Sequence, residues 1–471
     1  MWTICQECQG NGKRSRGLSK KAQLRYQTEL AAYEKTGSIG TAPIKPKAHL
    51  YSCPNCSGSG LIRSENYLEP DFTKPHVAII GAGIGGVALA VACLHRGIPF
   101  SIYERDTHFD ARSQGYGLTL QQASKAMKGL GITALNGVIS TKHIVHNTEG
   151  KVLGEWGTRK WMETEILPSA KRTNIHIARQ SLRQALLEQL GGNNTVQWGH
   201  QLLDFKATND GVELNFQANE EIKTVKADLV VGADGIRSAV RKLTIGEDIT
   251  PLRYLDCIVI LGICPLRTIE DISSPLLDSA TVFQTANGNE RIYVMPYTAD
   301  SVMWQLSFPM SEEEAKELSA KGPKALKEEA IRRTQWHAPI PQILKATDEN
   351  LISGYPVYDR ELLHSELLEK NQNNTLIGDA AHPMSPFKGQ GANQALLDAL
   401  KLARKIYKGC NAQSNWKEIG LRKSVLNDFE AEMLERSAAK VKGSADAAQF
   451  LHSEIILREG DEPRGRCPKR K

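Results

Sequence analysis

The spacing of apolar and polar residues along the chain predicts a mixed α/β fold. Short apolar runs at 76–80 and 229–233 have the length of strands that are buried inside a sheet. Residues 281–309 instead alternate apolar and polar positions through several short segments separated by NG and AD turns, which is typical of an antiparallel sheet. Helical spacing follows Gly86, Arg179 and Gly391, so we expect helices between the strands.

One uncharged stretch has almost the length of a membrane span. Val77 to Leu94 contains eighteen residues without a charge, but four clustered glycines favour a buried strand, turn and helix. The amino terminus lacks the charged and apolar regions of a signal peptide, and the nine cysteines are an odd number. We therefore expect a soluble, cytoplasmic protein with no membrane span.

The net charge of +6 is concentrated at the two ends of the chain. Residues 1–63 hold ten Lys or Arg against three acids, and residues 458–471 hold six against three. A basic head can bind acidic partners or nucleic acid, but this one has no clear aromatic interleaving. We interpret it as a solvated surface and expect no specific nucleic-acid partner.

Two copies of the pattern C-x-x-C-x-G-x-G predict a metal site in the head. Each pair offers two thiolates, and two pairs complete a closed tetrahedral site of the structural zinc type. The glycines let the backbone turn tightly around the sulfur atoms. The alternatives are two disulfides in an oxidising compartment, or a redox-active C-x-x-C. The expected zinc ligands are Cys5, Cys8, Cys53 and Cys56.

The head resembles the cysteine-rich zinc repeat of DnaJ-type chaperones, which uses the same unit. Between its cysteine pairs, residues 18–37 have the composition of a helix that stops at Gly37. We expect the head either to dock a protein partner or only to fold a small module around its metal.

The first motif of the body predicts a dinucleotide site. Gly81, Gly83 and Gly86 form G-x-G-x-x-G between a predicted strand and a predicted helix. The first glycine makes the turn, the second lets a pyrophosphate approach the backbone, and the third lets helix pack on strand. Glu104 ends the next predicted strand, where a carboxylate can accept hydrogen bonds from ribose hydroxyls.

Two further motifs specify the nucleotide. The second contains Asp234 after an apolar strand, where it can support a cofactor from beneath. In the third, Asp379 follows Gly378 at a strand end and can grip a hydroxylated chain such as ribityl. Glycines 389 and 391 let the next helix begin against a flat ring, with the positive end of the helix facing negative charge on that ring. His382 is either a proton shuttle or, as we prefer, part of the turn.

In this order and spacing, the three motifs resemble the FAD-dependent aromatic hydroxylases, the group of para-hydroxybenzoate hydroxylase and the tetracycline destructases. The resemblance covers about residues 75–410. It implies a non-covalently bound FAD, NADPH or NADH as a transient reductant, and O2. The implied reaction is hydroxylation or epoxidation of a small organic substrate, aromatic or polycyclic in character, through a flavin C4a-hydroperoxide. The implied cofactor-binding residues are Gly81, Gly83, Gly86, Glu104, Arg105, Arg112, Arg179, Asp234, Gly378, Asp379, Pro386, Gly389, Gly391 and Asn393.

The resemblance also implies an interleaved domain order. The predicted segments are 1–66 (zinc-binding head), 74–137, 174–249 and 351–410 (Rossmann-like FAD-binding domain), 138–173 and 250–350 (antiparallel-sheet substrate domain), 411–457 (two helices that break near Gly443) and 458–471 (disordered basic tail). In the family such a sheet roofs the flavin and holds the substrate. Its candidate substrate residues are Tyr293, Trp304 and Phe308, for which core packing is the alternative.

Two other functions remain open from the sequence. The first keeps FAD without oxygenation, as in a reductase, dehydrogenase or halogenase, although the halogenase motif W-x-W-x-I-P is absent. The second is a zinc-headed adaptor that retains a flavin fold for binding alone. The intact glycines and Asp379 favour an enzyme. The substrate and the choice between NADPH and NADH do not follow from the sequence.

Overall fold

A computed structural model of the chain describes residues 1–464 except Ile39, Lys47, Tyr67, 112–115, Gln122, 159–173 and 271–272. Its strands are β1 (Trp2–Ile4), β2 (Lys13–Ser15), β3 (Leu50–Ser52), β4 (Leu61–Arg63), β5 (Val77–Ile80), β6 (Phe100–Tyr103), β7 (Gly117–Leu120), β8 (Val138–Ile139), β9 (Lys142–His146), β10 (Val152–Trp156), β11 (Ile175–Ala178), β12 (Val196–Gln197), β13 (His200–Thr208), β14 (Gly211–Ala218), β15 (Glu221–Ala227), β16 (Leu229–Gly232), β17 (Leu252–Pro265), β18 (Thr281–Ala286), β19 (Arg291–Thr298), β20 (Ser301–Pro309), β21 (Ile352–Arg360) and β22 (Asn374–Leu376).

The helices alternate with these strands. They are α1 (Lys20–Lys35), α2 (Ile84–Leu94), α3 (Ser124–Gly129), α4 (Arg179–Gln189), α5 (Ala239–Ile245), α6 (Glu312–Ala320), α7 (Pro323–Arg333), α8 (Ile340–Ala346), α9 (Glu366–Glu369), α10 (Gly391–Gly409), α11 (Trp416–Ile419) and α12 (Asn427–Phe450). Within the described ranges, no helix is both long and apolar enough to cross a bilayer.

A parallel sheet of five strands forms the centre of the body, in the order β12-β6-β5-β16-β22. Of its three inner strands, β5 and β16 are buried along their whole length, as their uninterrupted apolar sequences require. Helix α2 packs on β6 and along α10, and the three elements share one hydrophobic core. The carboxyl ends of the parallel strands therefore meet at one edge of the sheet.

A second sheet of seven strands has the order β10-β9-β18-β19-β20-β17-β21. Its neighbouring strands are antiparallel except β9 and β18, which are parallel. One face of the sheet packs under α6, α7 and α8 in a core that contains Trp304, Leu306 and Phe308 of β20. Because side chains alternate along a strand, Met303 and Gln305 point to the opposite face.

The head is a pair of nested antiparallel strand pairs. Strand β1 pairs with β4 and β2 pairs with β3, so the cysteine pairs that follow β1 and β3 come together. Helix α1 projects between β2 and β3 and buries none of its residues. It begins after Ser19, whose Oγ accepts a hydrogen bond from the Ala22 N–H at 3.2 Å, and it ends two residues before the predicted stop at Gly37.

The carboxyl-terminal part differs from the prediction in two places. Helix α12 runs without a break through Gly443, where the missing Cβ admits the end of the Lys388 side chain. Residues 458–464 are not a disordered tail, because the Gly460 N–H donates to the Leu153 carbonyl at 2.9 Å and Arg464 is only 3% exposed. The polar segment packs because edge strand β10 supplies backbone partners for it. Residues 465–471 lie outside the described residues.

Candidate active site

A cavity of about 1290 Å³ joins the two sheets. One part is lined at the carboxyl ends of the parallel strands by Gly83, Asp379 and the residues before α10. The other part is lined by the face of the seven-stranded sheet that is turned away from α6, α7 and α8. A ligand in the first part can therefore present one end to a second ligand on the sheet.

The glycine turn after β5 can hold no larger residues at two of its positions. Gly81 has φ +101°, and a Cβ there would lie 2.6 Å from the Ala233 carbonyl oxygen. A Cβ on Gly86 would lie 1.9 Å from the Gly81 oxygen. Gly83 precedes α2, whose first turn has no side-chain cap and therefore leaves N–H groups free toward the cavity.

Glu104 follows β6, as expected, and its carboxylate also contacts the backbone of the protein. Its Oε2 accepts a hydrogen bond from the Ala82 N–H at 2.8 Å, and its Oε1 accepts one from the Asp106 N–H at 3.1 Å. The carboxylate thus braces the glycine turn, while its contact with a ribose stays a prediction. Arg105 is exposed. The predicted cofactor residue Arg112 lies outside the described residues.

Asp379 presents its carboxylate to the cavity. The side chain is accessible there and accepts no hydrogen bond from any described residue. Desolvation by the surrounding protein nevertheless raises its pKa, against the opposing influence of His382 and Arg179. Accessibility and desolvation are compatible because the access is through a deep cavity. Such a carboxylate is suited to accept hydrogen bonds from hydroxyl groups of a ligand.

A buried carboxylate behind Asp379 holds its turn in place. Asp398 Oδ2 accepts hydrogen bonds from the Gly378 N–H at 2.9 Å and from His382 Nε2 at 2.7 Å. Its Oδ1 accepts one from Arg436 at 2.5 Å. The backbone N–H of His382 also donates to the Gly378 carbonyl at 2.9 Å. His382 thus belongs to the turn, which is the role we preferred from the sequence.

Asn393 holds the start of α10 against two loops. Its Nδ2 donates to the carbonyls of Thr119 at 2.9 Å and Gly389 at 2.8 Å, and its Oδ1 accepts from the N–H groups of Gln121 and Ala123. Both the donor and the acceptor of the Asn393 side-chain amide therefore have hydrogen-bond partners within the protein. Beside it, Pro386 begins a short turn that ends at Gly389 with φ +57°, and Gly391 begins α10 with no side-chain cap.

Two other predicted cofactor residues flank this part of the cavity. Arg179 begins α4, lines the cavity, and places its guanidinium carbon 5.4 Å from the ring centroid of Tyr116. Asp234 instead accepts hydrogen bonds from Ser238 Oγ at 2.5 Å and from the Ala239 N–H at 2.7 Å. Its carboxylate therefore caps α5 beneath the cavity, and the next residue, Gly235, forms the wall.

The predicted substrate residues separate onto two faces of the sheet. Tyr293 of β19 lines the cavity, and burial raises its pKa to about 12. Trp304 and Phe308 do not line it, which corrects the prediction. Both are fully buried under the helices on the other face, where Trp304 Nε1 donates to Thr347 Oγ1 at 2.9 Å.

Several residues of the sheet side were not predicted. Arg291 lies two residues before Tyr293 on the same face of β19, so the alternation of side chains along a strand could have identified it. His143 and Trp156 stack at 5.4 Å between ring centroids on neighbouring strands, and both line the cavity. Burial lowers the pKa of His143 to about 4, so the histidine is neutral. No sequence pattern brings these two strands together.

The four head cysteines converge, as predicted. Their sulfur atoms all lie within 4.8 Å of one another and none forms a disulfide. Cys5 and Cys53 are 3.9 Å apart and Cys8 and Cys56 are 3.7 Å apart at Sγ. The N–H groups of Gly12 and Gly60 each donate to a cysteine sulfur at 3.2 Å.

Two arginines of the body hold the head. Arg404 of α10 donates to the carbonyl oxygens of Gly10 at 3.0 Å and Ser59 at 3.2 Å. Arg96, just after α2, donates to the Gly10 carbonyl at 3.5 Å and to the Ala92 carbonyl at 2.9 Å. The head therefore rests on the carboxyl-terminal ends of the two helices that begin at the cavity.

Comparisons with known proteins agree with this architecture. The chain is 31% identical over 332 residues to the aurachin C monooxygenase/isomerase of Stigmatella aurantiaca, covering 70% of this chain and 79% of the relative. It is 24% identical to the 6-hydroxynicotinate 3-monooxygenase of Pseudomonas fluorescens, and the match covers 83% of this chain and 94% of the relative. The fold resembles that of Klebsiella pneumoniae HpxO solved with FAD and uric acid. The TM-score is 0.67 at 20% identity, and the match covers 82% of this chain and 93% of HpxO.

The fold, the cavity and these relatives define a flavoprotein oxidoreductase, an FAD-dependent monooxygenase. A family model described as an FAD binding domain matches residues 74–416, and the chain belongs to that family.

Proposed function

We propose that this protein uses NADPH or NADH and O2 to insert one oxygen atom into a small aromatic substrate. The observation that carries the proposal is the continuous cavity, which joins a nucleotide-type glycine turn to the ring-lined face of a sheet. The relative from Pseudomonas fluorescens is named for 6-hydroxynicotinate, a hydroxylated aromatic ring, which supports an aromatic substrate. Bound FAD would supply electron transfer and the activation of O2.

The residues of the first part of the cavity fit FAD. Gly81 and Gly86 leave no room for larger side chains, and the uncapped first turn of α2 offers free N–H groups to a diphosphate. Asp379 has an accessible carboxylate with no hydrogen-bond donor among the described residues, which suits the ribityl hydroxyls. We assign these contacts to the turn after β5 and to Asp379, with Arg179 as a nearby positive charge.

The residues before α10 would face the ring of the cofactor. Gly389 and Gly391 keep side chains away from a flat ligand, and the positive end of α10 points at it without a cap. This arrangement stabilises negative charge on the ring. Asn393 contributes by holding the loops rather than by touching the ligand, since the protein uses all of its hydrogen bonds.

The sheet side of the cavity would hold the substrate. Tyr293, Met295, Met303 and the His143–Trp156 stack supply flat and adaptable apolar walls, which orient an aromatic ring and keep water from it. The sequence contains one G-x-G-x-x-G, so we propose that the nicotinamide nucleotide binds transiently in the same cavity.

We further propose that the head holds one structural Zn²⁺ on Cys5, Cys8, Cys53 and Cys56. Tetrahedral zinc with bonds of about 2.3 Å keeps its sulfur ligands about 3.8 Å apart. The Cys5–Cys53 and Cys8–Cys56 sulfur separations, 3.9 Å and 3.7 Å, bracket that value. The metal replaces a hydrophobic core in a head whose helix buries nothing.

The visible spectrum of the purified protein, followed by turnover under ¹⁸O2, tests the monooxygenase proposal. We expect the bands of oxidised flavin, consumption of NADPH or NADH that an aromatic substrate accelerates, and one ¹⁸O atom in the product. Accelerated consumption without labelled product would instead support the reductase alternative, and a colourless protein that takes up no FAD would support the adaptor.

A matched pair of variants tests the role of Asp379. D379A should bind FAD at least about tenfold more weakly, because hydrogen bonds to a carboxylate are each worth roughly 1.5–3 kcal/mol. D210N, in the exposed turn between β13 and β14, is the control. Equal FAD affinity of D379A and D210N by fluorescence titration would remove Asp379 from the site.

Metal analysis tests the zinc proposal. We expect one zinc per chain in the native protein and less than one in the C8S and C56S variants. C93S removes a buried cysteine outside the head and should keep the zinc. A native protein without zinc, or a C8S variant with full zinc, would contradict the assignment.

A further inference from the structure

A buried guanidinium in the substrate part of the cavity has no anionic partner among the residues that the structure describes. Arg291 is 5% exposed, and its Nε donates to Gln284 Oε1 at 2.7 Å. Its guanidinium carbon lies 5.0 Å from the ring centroid of Tyr293. Among the described residues, no carboxylate forms an ion pair with Arg291, and none accepts a hydrogen bond from its terminal nitrogens.

The described side chains that contact Arg291 or its neighbour Ser307 are uncharged. Gln284 of β18 is an amide, and Ser307 of β20 directs its Oγ to the Arg291 carbonyl at 3.5 Å. His452, after α12, contacts Ser307 Oγ at 2.8 Å, and burial lowers its pKa to about 4, so this histidine is neutral. Burial also lowers the pKa of Arg291, to about 10, which leaves the arginine charged at neutral pH.

At other buried arginines of this chain, carboxylate or carbonyl oxygens of the protein contact the guanidinium. Arg422 forms an ion pair with the buried carboxylate of Glu430. Arg241 donates to the carbonyl oxygens of Ala380 and Ala381. A buried cation without such partners is strongly unfavourable unless an external anion reaches it. Arg291 lines the cavity, so a ligand can supply the anion.

We propose that Arg291 binds the carboxylate of an aromatic carboxylic acid substrate through its terminal nitrogens. The planar guanidinium fork matches a carboxylate in two-point contact. Tyr293 and Met295 follow Arg291 at alternate positions on the same face of β19, so the ring attached to the carboxylate lies along them. This inference rests on the proposed function, because it names the substrate class of the same cavity.

Calorimetric titration of the oxidised holoenzyme tests the assignment without turnover. The probes are 2-aminobenzoate, 4-hydroxybenzoate and quinoline-4-carboxylate, each paired with its primary amide. The amide keeps the ring and removes the charge. We expect at least one acid to bind on the order of tenfold to a hundredfold more tightly than its amide, the range of a charge-assisted contact. A panel in which no acid binds more tightly than its amide, including one in which neither binds, overturns the proposal.

Variants assign the preference to Arg291. R291Q should bind acid and amide equally, and R291K should keep part of the preference because it retains the charge without the fork. R332Q removes an arginine that is exposed on α7 and should behave as the native protein does. Acid preference that survives in a folded, FAD-loaded R291Q overturns the proposal. If R291Q does not fold, an acid preference in R291K as large as in the native protein overturns it instead.

The binding test is independent of the reaction. If turnover releases no oxygenated product but acids still bind through Arg291, the monooxygenase proposal fails and the anion site stands. If oxygenation occurs and R291Q keeps the acid preference, the anion site fails and the monooxygenase proposal stands.

Discussion

Arg404 donates its Nε–H to the carbonyl oxygen of Gly10 at 3.0 Å and thereby attaches the head to α10. The same helix begins at Gly391, about 20 Å away along its axis at 1.5 Å per residue, beside Asp379. Arg96 makes the equivalent attachment at the end of α2. The head is thus joined to the cavity through two helices and not through direct contact with a ligand.

R404Q should loosen the head without unfolding the body. It removes charge-assisted hydrogen bonds to Gly10 and Ser59, each worth roughly 1.5–3 kcal/mol. Hydrogen exchange should therefore be about tenfold or more faster for the amides of β1 and β4. K401Q, which removes a contact of α10 with Glu432 on α12, is the control. Unchanged exchange in R404Q would mean that Arg404 does not hold the head.

Alanine substitutions at two neighbouring glycines in the turn after β5 should have different effects on the stability of the protein. In G86A the Cβ would lie 1.9 Å from the Gly81 oxygen, so the turn must move, and we expect a loss of several kcal/mol in the free energy of unfolding. In G85A the Cβ meets Ala395 Cβ at an ordinary 3.4 Å. Urea unfolding of the apoprotein checks the pair, and equal stability of the two variants would contradict the prediction.

The stability of the protein should fall as the pH drops from about 6.5 to about 4. Buried neutral histidines bind no proton in the folded state in this window, whereas the unfolded chain does, so the unfolded state gains stability as pH falls. Each contributes up to about 1.4 kcal/mol per pH unit to the slope. Burial lowers the pKa to about 3 in His95 and to about 4 in His143, His146, His176 and His452.

Urea unfolding midpoints at several pH values, with two variants, check this slope. H176Q removes a buried histidine that contacts Ser140 Oγ at 2.7 Å, and its slope should be shallower. H364Q removes an exposed histidine and should keep the native slope. Equal slopes in the two variants would show that His176 is not held neutral in the folded state.

G154A should release the carboxyl-terminal segment from β10. A Cβ on residue 154 would lie 2.0 Å from the Gly460 carbonyl oxygen, so the segment must move away. Trypsin should then cut after Arg464 about tenfold or more faster, because this arginine is buried in the native protein. V152A, at a half-exposed position of the same strand, is the control. Equal cleavage of the two variants would contradict the packing.

The parts of the fold that depend on local backbone chemistry could be predicted from the sequence. The glycine turn is one case, because Gly81 and Gly86 exclude side chains wherever the turn occurs. The strands β5 and β16 are another, since a short apolar run without a polar face has few other structures. The convergence of the four head cysteines followed from their paired spacing in the same way.

The features that depend on contacts between residues distant in the chain could not be predicted from the sequence. Both faces of β20 are apolar, with Trp304 on one and Met303 on the other, so alternation alone does not say which face the helices cover. Gly443 predicts a break in the helix, but the Lys388 side chain, from a loop more than fifty residues earlier in the chain, fills the space beside it. The packing of Arg464 needs strand β10, whose free edge is not visible in the sequence.

The contact between Gly10 and Arg404 spans 394 residues of chain, which determines the order in which these parts form. As the chain is synthesised from its amino terminus, the head cysteines emerge first, whereas α10 emerges only after most of the body. Contacts between such distant residues form late in folding. The head is therefore synthesised long before the part of α10 on which it rests, and any chain that stops before residue 404 lacks the Arg404 half of the attachment.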